Sequence, residues 1–80
     1  MTLAELLARR EALLNAWRDL RDPDEAAVGP VLGADGSLSL RVGPAVDLRC
    51  RLYDLVLSPA GDLSIVTPDG ESRPVPAVAR

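Results

Sequence analysis

The sequence predicts an α+β domain, an N-terminal amphipathic helix packed on a small antiparallel β-meander of three to five strands. Three observations predict it. Residues 2–21 repeat their apolar side chains at helical spacing, and from Val28 onward the apolar period changes to two. The period-two segments are joined by short connections rich in Gly, Asp and Pro, which favour pairing between neighbouring antiparallel strands. The expected organisation is one domain over residues 1–73, with the helix at 2–21 and the sheet at about 28–73, followed by a Pro-containing tail at 74–80.

Thr2-Leu3-Ala4-Glu5 reads as a capping box, with the Thr2 hydroxyl accepting from the Glu5 amide and Met1 placed to staple onto Leu6. Glu5 and Arg9 stand in the favourable i,i+4 order, Arg18 and Arg21 suit the C-terminal end, and Asp22-Pro23 stops the helix. At ~100° per residue, Leu3, Leu6, Leu7, Leu13, Leu14, Trp17 and Leu20 fall within an arc of roughly 140° that must be buried. Arg10 projects from the middle of that arc. Its guanidinium can snorkel to water, pair with an acid such as Asp54, or cross to another chain. Ala8, Ala12 and Ala16 line a narrow strip on the other side.

Asp22-Pro23-Asp24-Glu25 has the signals of one further helical turn. Val28–Leu32 follows as a first strand, and Gly33-Ala34-Asp35-Gly36 closes a hairpin. Ser37–Val42 alternates cleanly, with Leu38, Leu40 and Val42 sharing a face. Asp47–Leu57 is the longest predicted strand, with Leu48, Cys50 and Leu52 inside and Arg49 and Arg51 outside. Beyond Leu52 the apolar phase shifts to Tyr53, Leu55 and Leu57, and Asp54 falls where an inner residue is expected. Either a bulge near Leu52–Asp54 flips the faces, or both faces are covered and Tyr53, Leu55 and Leu57 form an outer apolar patch. Pro59–Asp62 and Pro68–Gly70 are further turns, the second leading to a short edge strand before Pro74. The tail reads as a mobile or extended end; the alternative is an arm that docks on a neighbouring subunit, with Val75 and Val78 as the side chains inserted.

Composition limits the function. Nine basic residues, all arginine, stand against twelve acidic ones, for a net charge of −3, the wrong sign for a protein that binds nucleic acid by displacing counterions. No apolar stretch approaches the ~20 residues of a membrane-spanning helix. One cysteine, Cys50, permits no internal disulfide and points to a cytoplasmic protein. With no histidine, the common nucleophile–base pairs and most zinc sets are missing, so no catalytic residue, metal site or cofactor site is expected. The acids at 22, 24 and 25 lack calcium-loop spacing, and Cys50 reads as a small buried hydrophobe. Arg41, Arg49 and Arg51 form a small basic group with only Trp17 and Tyr53 as aromatics in the whole chain, so base stacking is not indicated.

The hairpin Asp54-Leu55-Val56-Leu57…Gly61-Asp62-Leu63-Ser64-Ile65-Val66 resembles those of small phage and contractile-tail baseplate proteins. Leu3-Ala4-Glu5-Leu6 is similar to the helical start of small phage head-completion proteins, which carry a second helix that is not legible here. The likeness spans a short part of the chain and assigns no family, but it adds phage-type assembly to the roles considered. A chain of this length has a small core that association often completes. The expected function is therefore a non-enzymatic structural or adaptor module that contacts a protein partner or itself, as a homo-oligomer. The alternative is a small acidic inhibitor or antitoxin-like protein on a basic target site. The candidate contact residues are Arg10, Trp17, Tyr53, Leu55, Leu57, Arg41, Arg49 and Arg51.

Overall fold

The computed structural model describes residues 2–75. Helix α1 (Leu3–Leu20) is followed by strands β1 (Glu25–Leu32), β2 (Leu38–Pro44), β3 (Tyr53–Leu57), β4 (Leu63–Val66) and β5 (Ser72–Pro74). The strands form one antiparallel sheet in the order β1-β2-β3-β4-β5. This is the predicted α+β meander at its upper strand count. The Thr2 hydroxyl caps α1 by accepting from the Glu5 N–H at 3.1 Å. The Met1 staple and Val78 lie outside the described residues.

The helix covers one face of the sheet over β2 and β3. Leu13 is its only fully buried side chain, and it meets Leu38, Leu40, Leu55 and Leu57 from the two central strands. Register stacks these into cross-strand rows, Leu38–Leu57–Leu63 and Leu40–Leu55–Ile65, closed at one end by the Val42–Tyr53 pair. Leu6, Leu14, Ala16 and Trp17 border the cluster. The predicted burial of the whole leucine arc is corrected: Leu3 is 71% and Leu7 54% exposed. Both lie in the first two turns of α1, about 80° and 120° round from Leu13, whereas Leu14, about 100° round but beside Leu13 in the chain, still borders the core. In the alanine strip, Ala8 and Ala12 are exposed and Ala16 is half-buried.

Arg9, one residue from the arginine singled out in the sequence, fastens α1 to the sheet. Its guanidinium donates to the Gly36 carbonyl at 2.8 Å, the Ser58 carbonyl at 2.8 Å and the Leu57 carbonyl at 3.4 Å. One cation thereby joins the helix to two separate turns. Arg10, 100° further round, is exposed.

Three strand boundaries differ from expectation. Residues 22–25 form a turn and not a helical turn: the Glu25 N–H donates to the Asp22 carbonyl, and the Asp22 N–H to the Glu25 carboxylate. β1 begins at Glu25 because Ala26 and Ala27 already pair with Gly43 and Val42. The long strand 47–57 is only Tyr53–Leu57, and residues 45–52 form a looped connection. The phase shift is neither a bulge nor two-sided coverage; it marks the point where loop becomes strand. Tyr53, Leu55 and Leu57 face the helix side, and Asp54 and Val56 take the opposite face. Asp54 thus pairs with Arg51, and the proposed pairing with Arg10 is excluded by their opposite sides. Pro74 belongs to β5, and Val75 packs on the core while its N–H donates to the Leu63 carbonyl at 2.9 Å.

Candidate interaction surface

The loop at 45–52 projects apolar side chains from a fixed backbone. Val46 is 96% exposed, and Leu48 and Leu52 are also exposed. Backbone hydrogen bonds hold the loop along its length. The Ala45 N–H donates to Asp24 O at 2.8 Å, Asp47 to Pro44 O at 3.1 Å, Cys50 to Asp47 O at 3.1 Å and Leu52 to Val42 O at 2.9 Å. Gly43, buried beneath, makes this path possible: a Cβ there would stand 2.3 Å from the Cys50 carbonyl oxygen. The glycine is required by a close approach of two backbones, which no side-chain rotation relieves.

Charged groups tie the loop to the uncovered face of the sheet. Arg41, on that face of β2, donates to the Leu48 carbonyl at 2.9 Å. Arg49 pairs with Asp47 at 3.0 Å and holds that carboxyl below the ordinary range, with the Arg49 backbone N–H contributing. Arg51 grips Asp54 with two nitrogens, and this carboxylate raises the guanidinium's pKa. All three arginines bond on or beside the loop, but only Arg41 stands on a strand, and Arg49 and Arg51 are each paired with an acid. The group is a mixed-charge rim around apolar side chains and not a basic patch.

Continuous with this rim, the uncovered face carries two rows, Val31–Ser39–Val56–Ser64–Pro74 and Val28–Arg41–Asp54–Val66–Ser72. Val28 and Val31 are exposed. Apolar loop residues and uncovered valines ringed by polar groups are the composition of a contact surface.

The remaining candidates lie elsewhere. Leu55 and Leu57 are buried in the core, so the reading that places them on an outer patch is corrected. Trp17 is half-buried with its indole N–H buried and unpaired, and Arg21 lies over its ring at 5.0 Å. The half-buried Tyr53 hydroxyl donates to Glu25 at 3.4 Å; burial, with the Glu25 carboxylate adding to it, pushes its pKa up to about 12. Cys50 is exposed, not buried, because its segment is loop. Leu48 and Leu52 read as inner strand residues in the sequence because they alternate with Arg49 and Arg51, and Val46, just ahead of that segment, carries no signal of its own. The signal against a strand was length, since 47–57 outruns the neighbours available to pair with it.

Among the described residues no group of three or more Cys, Asp or Glu is placed to hold a metal ion, and no helix is long and apolar enough to cross a membrane. No protein-family model matches the chain, and no curated protein or solved structure is significantly similar to it.

Proposed function

We propose that this protein is a non-enzymatic structural or adaptor module of the cytoplasm that acts by protein–protein contact through the 45–52 loop and the adjoining sheet face. The observation that carries this reading is Val46, Leu48 and Leu52 held outward on a hydrogen-bonded loop over Gly43. A loop that served only to connect β2 to β3 has no need of three exposed aliphatic side chains on a fixed backbone. A pre-set apolar loop loses little conformational entropy on docking, and the surrounding Arg–Asp pairs supply orientation more than affinity. Phage-type assembly is one setting in which such a module works.

The test is affinity capture with cross-linking from source-cell lysate, comparing the wild type with Val46→Asp and Leu48→Ser. Both positions are exposed, so folding by circular dichroism is expected to be unchanged, while a partner captured by the wild type is lost from both variants. Equal recovery by all three proteins overturns the assignment to the loop. A second reading rests on the exposed carboxylates of Asp22 and Asp24 beside the loop's anchor, which fit the basic site of a target as a small acidic inhibitor does. It predicts loss of capture by Asp22→Asn/Asp24→Asn with the loop variants unaffected.

A further inference from the structure

Helix α1 has a second apolar face that its own sheet leaves open. Taking Leu13 as the centre of the sheet-facing side, Leu3, Leu14 and Leu7 lie about 80°, 100° and 120° away. Leu3 and Leu7 are exposed, and Leu14 is half-buried where it borders the core, so the open part of this face is the first two turns of α1. With Arg10, these positions follow the alternating four- and three-residue spacing of a helix-pairing seam, 3-7-10-14. Arg10 forms the near edge of the seam, about 60° from Leu13, and Glu11 stands beyond its far edge, about 160° from Leu13. Among the described residues neither side chain forms an ion pair or hydrogen bond.

We infer that this face pairs with the same face of a second copy, the two α1 helices lying parallel about a two-fold axis. Charge complementarity selects the occupant. In a parallel pair the near flank of one helix meets the far flank of the other, which sets Arg10 against the second copy's Glu11, and the reverse. Leu3, Leu7 and Leu14 then meet their own counterparts along the seam. The two sheets fall on opposite sides of the helix pair, since each lies about 100° from the seam, so neither obstructs the contact. An arginine that is out of place in a monomer's leucine arc becomes the residue that fixes partner and register. Bringing Arg10 close to its own counterpart is unfavourable unless both are neutralised, so the two Glu11 carboxylates are required.

This inference extends the contact-module reading to a second surface and is tested apart from it. One helix face is smaller than a standard interface, so the dissociation constant is on the order of 10–100 µM. Sedimentation equilibrium up to about ten times that range is expected to show dimer for the wild type. Arg10→Glu alone and Glu11→Arg alone place like charges against each other, and each is expected to weaken association at least tenfold. A one-to-one mixture of the two variants restores opposite charges at both contacts and is expected to recover the dimer. Leu3→Cys on a Cys50→Ser background reads the orientation, since a parallel pair oxidises to a disulfide-linked dimer. Val46→Asp is expected to lose partner capture while the dimer survives, which separates failure of the two surfaces. A wild type that stays monomeric, single variants that associate normally, a mixture that fails to recover, or no cross-link at position 3 each overturns the proposal.

Discussion

Replacing Gly43 with alanine introduces a single methyl group, and its consequence follows from one distance. The new carbon would stand 2.3 Å from the Cys50 carbonyl oxygen, whereas ordinary contacts of a Cβ begin at 3.4 Å. The loop carbonyl must therefore recede by about 1 Å; the Cβ position is fixed by the backbone and the oxygen belongs to it, so no rotamer change absorbs the clash. Retreat stretches the Leu52 N–H bond to Val42 O and the Arg41 bond to Leu48 O, each 2.9 Å in the native chain. Overpacking of this kind costs about 1–3 kcal/mol. For a domain of this size each kcal/mol lowers Tm by about 4–8 °C, so a fall of about 5–20 °C is expected by calorimetry. Amide chemical shifts should change over residues 45–52 and leave α1 and β4 in place. A Gly43→Ala variant whose Tm stays within about 2 °C of the wild type, a change worth less than about 0.5 kcal/mol, would refute the close approach and with it the fixed loop.

Other outcomes follow from the same geometry. Arg9→Met removes charge-assisted hydrogen bonds to carbonyls of two turns and is expected to cost about 2–3 kcal/mol by urea unfolding, whereas Arg10→Met is expected to leave monomer stability within about 0.5 kcal/mol. Leu13→Ala empties the centre of the core, at about 2–5 kcal/mol. Cys50 is exposed, so Cys50→Ser is expected to be neutral within about 0.5 kcal/mol, and the native thiol to react with a water-soluble reagent without unfolding of the protein. The single tyrosine gives a clean titration: its phenolate absorbance is expected to rise with a midpoint near 12 in the folded protein and near ~10 in denaturant. Because burial raises the folded value, Tyr53 contributes stability in full below the unfolded pKa, and that contribution is lost as pH climbs from the one value to the other. Coincident midpoints would contradict its burial.

What could be read from the chain was local. Thr2 and Glu5 announce the start of α1, Asp22-Pro23 its end, and the glycines at 36, 61 and 70 take positive φ in their turns, where other residues are strained. Sequential hairpins then follow from short connections. What could not be read depends on distant residues. Alternation over 47–52 describes a strand equally well, and only the packing of Cys50 O over Gly43 makes it a loop. Extended as a strand, the segment would put Cys50 in the core and Asp54 on the inner face, where the structure has an exposed thiol and an Arg51–Asp54 pair on the uncovered side. The choice between Arg9 and Arg10 was also tertiary, since 100° of helix rotation separates a clasp over two turns from an exposed cation. The candidate surface is therefore half legible: its arginines stand out in the sequence, whereas Leu48 and Leu52 read as interior and Val46 carries no signal.

The clasp at Arg9 also bears on how the chain is made. Helix α1 is synthesised before any strand, yet the carbonyls that receive its guanidinium lie at Gly36, Leu57 and Ser58. Roughly forty further residues must follow the helix before its docking site is complete, which at about 5–20 residues per second is about 2–8 s. Until the sheet is in place, Leu13 and the leucines beside it have no core to enter. The charges interspersed among them, Glu5, Arg9, Arg10 and Glu11, are what keep the helix soluble while it waits for its sheet.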